Sequence, residues 1–301
     1  MSSTTSLRDL PIDLSRLRTI SARSDKRGLA QIALHLGALL LAGALVLSLR
    51  GHWAIWPAMA LLGLFEIALF TPLHETTHRT PFRTLWLNKA VGWFAGFVLL
   101  LPPESFRLFH MAHHRHTQDP ARDPELIGAK PLTAARYLWL LTGIPYWIGQ
   151  ISSLLATARG AADAPWIPAA SRPAVVREAR LYLATYLLIG LLGIAFRSTI
   201  PLLLWAIPVL LAQPVLRAVL MAEHKGCPEN GDRMANTRTT LAGRAFGLLF
   251  WNAHLHIEHH FAPGVPFHAL PKLHGMLRPH LKSVAASYPA AHRTIRGAIG
   301  R

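Results

Sequence analysis

Apolar residues run from Gln31 to Leu49 with only His35 interrupting them, and after Arg50-Gly51-His52-Trp53 they resume from Ala54 to Leu73. Nineteen residues in a helix reach about 28 Å at ~1.5 Å per residue, enough for the hydrocarbon core of a bilayer. The Trp residues around the turn suit a membrane–water interface. A second pair of apolar runs, Leu181–Phe196 and Ile200–Ala222, is separated only by Arg197-Ser198-Thr199, and the first of these is short for a crossing. Two more runs read differently. Leu85–Leu101 carries Asn88 and Lys89, and Leu132–Ala156 is broken by Pro145 and rich in Tyr137, Trp139, Tyr146 and Trp147. Both are expected to lie as helices in the interface. The pattern predicts an all-α integral membrane protein in which four transmembrane helices form two hairpins, 31–73 and 181–222. Segments 1–29, 74–180 and 223–301 then share one side, within a single domain spanning residues 1–301.

Composition strengthens this picture. Hydrophobic residues make up 51% of the 301 and charged residues 15%, against roughly 25% charged in soluble domains. Lys and Arg number 31 against 15 Asp and Glu, a formal net charge of +16. Of those 31 cations, 28 fall in the three segments that the four-span pattern puts together, and the opposite-side turns hold only Arg50 and Arg197. The positive-inside rule makes that side cytoplasmic, both termini included. Four spans leave nucleic-acid binding no role, so anionic headgroups or an acidic protein account for the basic face. A lone cysteine, Cys227, excludes an internal disulfide and any cysteine-rich metal site.

The candidate chemistry lies in the 17 histidines. They concentrate in His74-Glu75-Thr76-Thr77-His78, in His110-Met111-Ala112-His113-His114, and in His256-Ile257-Glu258-His259-His260, with His224 at the end of the fourth span. Residues three and four apart share one face of a helix, so each cluster is a multidentate face for metal. All of them fall on the cytoplasmic side of the four-span arrangement. Nine histidines exceed what one ion of four to six ligands needs, so two ions are implied. Imidazole alone does not choose between iron, zinc, copper and nickel.

Three boxes in this order and spacing, between paired membrane helices, resemble the membrane fatty acid desaturase and hydroxylase family over roughly Leu73 to His274. The resemblance implies a cytoplasmic histidine-rich cap holding two non-haem irons that use O2 as co-substrate to oxidise unactivated C–H bonds. It assigns His74 and His78 to the first box, His110, His113 and His114 to the second, and His256, His259 and His260 to the third. His224 matches an additional histidine of animal acyl-CoA desaturases. The Asn that those enzymes place four residues earlier is Leu220 here, and Asn252, four before His256, is a replacement amide. Acyl desaturation is the expected outcome, with hydroxylation of an acyl chain, a carotenoid or an alkane as the alternative. No haem-binding extension, Rossmann fingerprint or cysteine cluster is legible in the chain. A ferredoxin or a small cytochrome with its reductase is therefore expected to bring electrons, and the bacterial inner membrane is the expected location.

Other residues extend this reading. Asp119 and Asp123 are candidates to hold imidazole N–H groups from behind, and Glu66 is an ionisable residue inside a span. Asn236-Thr237-Arg238-Thr239-Thr240 reads as a capped turn near the site. His116 and His254 fall outside the box spacing, and His35, His52, His268, His274, His280 and His292 read as ordinary interfacial or surface residues. His74-Glu75-Thr76-Thr77-His78 also matches the H-E-x-x-H of zinc metalloproteases, which would explain one cluster and leave two without a role.

Overall fold

A computed structural model describes residues 13–299, and the first twelve residues of the expected N-terminal segment lie outside it. The described chain is about 67% helical with almost no sheet. It opens with α1 (Leu14–Ile20) and the 24-residue α2 (Asp25–Ser48), started by the Ser24 cap. After the Arg50–Ala54 turn come α3 (Ile55–Ala68) and α4 (Phe70–Thr77), which together form a 23-residue span. α5 (Leu85–Val98), α6 (Pro103–His116), α7 (Ala134–Leu141) and α8 (Ile144–Ala158) follow. The second hairpin is α9 (Arg172–Ala195) and α10 (Ile207–His224), the latter entered through a π-helical turn at Leu202–Ala206. Short elements complete the cap: β1 (Thr239–Thr240), α11 (Arg244–Leu249), α12 (His256–Phe261), α13 (Leu270–Leu277), β2 (Val284–Ala285) and α14 (Tyr288–Gly297). Four helical segments are long and apolar enough to cross a membrane: Asp25–Ser48, Ile55–Thr77, Ala169–Ala195 and Leu202–His224. This is an integral membrane fold.

The structure departs from the sequence pattern in three places that shape the site. The second span runs on through the first histidine box as α4, so His74 rides on the span itself. The third span begins at Arg172 with a proline in its first turn, which supplies the length that Leu181–Phe196 lacked. Leu132–Ala156 does not form one interfacial helix. Gly143, in the left-handed region (φ 74°), folds it into an α7–α8 hairpin whose turn packs on Gln213 of α10. Gln213 is eleven residues from His224, about 16 Å along the helix axis, so the turn packs against the middle of the Leu202–His224 span. Leu85–Leu101 forms α5, which is not by itself among the segments long and apolar enough to cross. A reversal at Leu99–Pro102, with Leu101 N–H donating to Gly96 O, turns α5 by 96° into α6.

The scaffold beneath the site is close helix packing. At Gly63 of α3 a methyl group would collide with the carbonyl of Pro208 and sit 2.9 Å from Ala212 Cβ of α10, so only glycine permits this approach. His35, expected at an ordinary surface, is buried in α2. Its Nε2–H donates to Phe65 O at 2.8 Å, a carbonyl freed where the helix tightens between α3 and α4. Its Nδ1 accepts from Trp251 Nε1, tying the hairpin to the cap.

This arrangement puts the hairpin turn around Gly51 and the cap on opposite faces. With Cys227 first replaced, single cysteines at the exposed positions Arg115, Arg159 and Lys272 should all react with an impermeant thiol reagent from one side of sealed vesicles. A cysteine at Gly51 should react only from the other. Labelling of Arg115 and Lys272 from opposite faces would separate the second and third boxes by ~30 Å of hydrocarbon.

Candidate metal centre

The histidines that the sequence groups into three boxes are regrouped by the fold into two adjoining sets. The ligand atoms of His74, His78, His110, His114 and His259 lie within 4.8 Å of one another, as do those of His113, His224 and His260. His256 joins the second set through His224, Nε2 to Nε2 at 3.1 Å. The two sets touch where the rings of His114 and His260 stack with centroids 4.1 Å apart. Each set therefore draws on α4 or α10 from the spans, on α6 from the loop between them, and on α12 from the cap. All except His78 are buried.

Hydrogen bonding fixes which nitrogen three of the rings turn inward. His113 donates from Nδ1 to both oxygens of Asp123, at 2.9 and 3.1 Å. That carboxylate is held in turn by the backbone N–H groups of Gln118 and Glu125. His260 donates from Nδ1 to Thr117 Oγ1, whose own proton goes to His113 O. His224 points Nδ1 at Asn236 O, 3.5 Å away. With Nδ1 protonated, the neutral rings present Nε2 lone pairs to one another, and His113 and His224 stand 3.2 Å apart on those atoms. The same crowding recurs in the larger set, where His110 Nε2 lies 2.9 Å from Nε2 of both His78 and His114. His74 Nε2 and His260 Nε2 are buried with no hydrogen-bond partner. Converging lone pairs repel unless a cation sits among them, so the donor set fits metal ions and explains the orphaned nitrogens.

Burial pushes the imidazoles toward the neutral form that a metal requires. His78 is lowered to about 4 by desolvation, and His114, His259 and His260 are depressed well below the ordinary 6.5 by the same cause and by neighbouring histidines. At His113 burial acts in the same direction, but Glu125 and Asp123 outweigh it and raise the pKa. For the depressed group, the unfolded chain binds protons that the folded protein refuses. Metal-free protein should therefore lose stability as pH falls from about 6.5 toward 4, and a melting temperature independent of pH across that window would contradict the buried neutral cluster.

Several expectations need correction. Asp119 is engaged by Arg122 and the Ala121 N–H rather than by a histidine. Asn252 donates to Phe267 O in a loop with left-handed backbone, so its amide serves the cap's own fold. His274, read as a surface residue, meets Glu258 at 2.6 Å, and Thr239 meets the same carboxylate at 2.5 Å; together they anchor α12. His292 bridges Tyr137 and Ala218 O, fastening α14 across α7 and α10. His254 is buried but belongs to neither set among the described residues. Sequence reasoning missed Glu223. Its carboxylate lies 3.5 Å from His256 Nε2 and groups with His224 and His256 as a further set of ligand atoms. Its position immediately before His224 was the available signal.

The Glu75 carboxylate accepts from Thr80 Oγ1 at 2.7 Å and from Phe267 N–H at 3.1 Å, with His259 Nδ1 3.9 Å away, so it is held behind the third box. A zinc peptidase would use this box and leave the histidines of the other two without a role.

Beside the two sets lies a cavity of about 610 Å³, lined on one side by His74, His110, His113, His224 and His256. Four candidate membrane spans thus bring two histidine-rich sets that could hold metal to one cavity. The Fatty acid desaturase family model matches residues 51–292, and the chain belongs to that family. It is 26% identical over 272 residues to dihydrorhizobitoxine desaturase of Bradyrhizobium elkanii, covering 78% of this chain and 72% of that protein. It is 24% identical over 259 residues to a ferredoxin-linked sn-1 acyl-lipid omega-3 desaturase of a Nostoc strain, covering 78% and 70%. A third relative, sn-1 oleoyl-lipid 12-desaturase of a Synechocystis strain, is 34% identical over 104 residues, which span 32% of this chain and 28% of the relative.

Proposed function

We propose that the protein is an O2-dependent desaturase that oxidises an unactivated C–H bond of a hydrocarbon chain at a pair of irons. His74, His78, His110, His114 and His259 would hold one iron, and His113, His224, His256 and His260, with Glu223 beside them, the other. An iron pair supplies the oxidising power that no amino-acid side chain possesses. The observation that supports the reading is the pair of adjoining sets, whose Nε2 atoms converge without protein donors and open on one cavity.

The chain's own residues prepare that chemistry. Asp123, Thr117 and Asn236 take the outward Nδ1 protons of His113, His260 and His224, which fixes the tautomers and aims Nε2 inward. Thr80 and the Phe267 N–H hold Glu75 behind His259. Phe70, Leu101, Phe106 and Leu154 give the cavity apolar walls that exclude water and align a chain. Of the two relatives aligned over most of the sequence, one is named for an acyl-lipid and the other for dihydrorhizobitoxine. What carries over is introduction of a double bond. Electrons would come from a separate ferredoxin, as the Nostoc relative's name indicates for that enzyme, or from a small cytochrome with its reductase. The donor would dock on the basic cytoplasmic face of a bacterial inner membrane, with both termini on that side.

Expression with a ferredoxin and its reductase in a host free of other desaturases, followed by mass spectrometry of lipids and free acids, tests this. A product two hydrogens lighter that disappears with His260→Ala is the expected result. A product one oxygen heavier would assign hydroxylation, and peptide cleavage blocked by a zinc chelator would overturn the oxidative reading.

A further inference from the structure

The lining of the cavity is also charged, which an acyl tail alone does not call for. It presents Lys130, Arg136, Arg217 and Lys225 against two acids, Glu125 and Glu223. Glu223 is already occupied beside His256, and Glu125 sits at an exposed position. Arg217 lies inside the fourth span, seven residues before His224 and on the same helix face, about 10 Å along the axis. No carboxylate lies within 4.0 Å of it among the described residues. Its guanidinium stacks 4.2 Å over the Tyr146 ring, and Gln213, turned so that its oxygen faces the cation, accepts from Nε and Nη2 at 3.1 and 3.3 Å. Those contacts orient the fork, while the acids whose charge reaches it, Glu125 and Glu223, stand beyond ion-pair distance. Arg136 supplies an independent sign, because its Nη1 is buried with no hydrogen-bond partner. Arg136 and Leu140 of α7, with Leu132 just before it, line the same cavity.

An intramembrane cation with no carboxylate in ion-pair contact is costly and marks a ligand path. Guanidinium forks match carboxylates in geometry and form charge-assisted hydrogen bonds. Phe70, Leu101, Phe106, Leu154, Val175 and Ala179 meanwhile offer hydrocarbon contact in the same space. We propose that the cavity binds a single-chain amphiphilic acid, its carboxylate held by Arg136 and Arg217 and its hydrocarbon lying along the apolar wall beside the histidines. A neutral acyl-glycerolipid brings no anion to this lining. The inference rests on the desaturase reading only in treating the bound acid as the substrate.

Fluorescence titration of the purified, iron-loaded protein with cis-parinaric acid and with its methyl ester tests the site without turnover. Hydrogen bonds to charged groups contribute ~1.5–3 kcal/mol, so the acid should bind about 10- to 100-fold more tightly than the ester. Arg217→Gln and Arg136→Gln should each reduce that preference while leaving ester affinity unchanged. Unchanged ester affinity also shows that the variant is folded, and Arg217→Lys should restore part of the preference. Decanoate should displace the probe and phosphatidylglycerol should not. Equal affinity of wild-type protein for acid and ester would overturn the proposal, as would a preference that survives both substitutions or displacement by phosphatidylglycerol alone. Preference for the acid in a protein that forms no olefin would instead strike the desaturase reading and leave the carboxylate site standing.

Discussion

Replacing His114 by Ala should cut turnover by at least about 100-fold, more than the 10- to 100-fold typical of losing a group that only supports a ligand. His114 meets His110 and His259 through Nε2 at 2.9 and 3.1 Å and stacks on His260 of the neighbouring set. Its removal breaks the larger set and the contact between the two. Iron content should fall from about two per chain toward one, because the set built on Asp123 and Asn236 keeps its own supports. His280→Ala provides the contrast: that residue lies in a short turn outside both sets, so iron and activity should stay near wild type. Equal loss in the two variants, read by metal analysis and product formation, would dissolve the distinction between ligands and bystanders.

Asp123→Ala is expected to have the next largest effect, although Asp123 would touch neither iron nor substrate. The buried carboxylate takes the His113 Nδ1 proton and two backbone N–H groups. Its loss leaves those donors unpaired and frees His113 to adopt the other tautomer. Iron affinity in the smaller set should drop about 10- to 100-fold. Asp123→Asn keeps the shape but can present an N–H to His113, so it should restore folding better than function. A shift in the spectroscopic signature of one iron with the other unchanged would distinguish this positioning role from general destabilisation. Identical iron affinity in Asp123→Ala and wild type would remove it.

The boxes were legible because helical periodicity is local: residues three and four apart share a face whatever the tertiary fold. The hairpins were legible for a similar reason, since apolar runs and Lys/Arg counts are properties of contiguous sequence. Which histidines share a set was not, because the sorting depends on how α4, α6, α10 and α12 meet. His113 and His114 are neighbours in the chain yet belong to different sets, pointing from adjacent positions of one helix. The roles of His35, His274 and His292 escaped because each is defined by a partner far away in sequence: Phe65 and Trp251, Glu258, and Tyr137 with Ala218. Glu223 escaped for a different reason. Nothing in the local spacing sets an acid beside a histidine apart, and only the approach of α12 shows that its carboxylate faces His256. The break of Leu132–Ala156 into α7 and α8 was not legible, because aromatic enrichment around Pro145 suits a continuous interfacial helix as well as a turn packed against a span.

On the proposed function, nine histidines of one chain hold two irons at a shared, cavity-facing centre. Metal analysis combined with Mössbauer spectroscopy of protein purified from cells grown on 57Fe tests it most directly. The account predicts about two irons per chain, in two nitrogen-rich environments of different ligand number, with His114→Ala and His260→Ala each depleting a different one. A single tightly bound ion per chain, or two irons that both survive these substitutions, would contradict it.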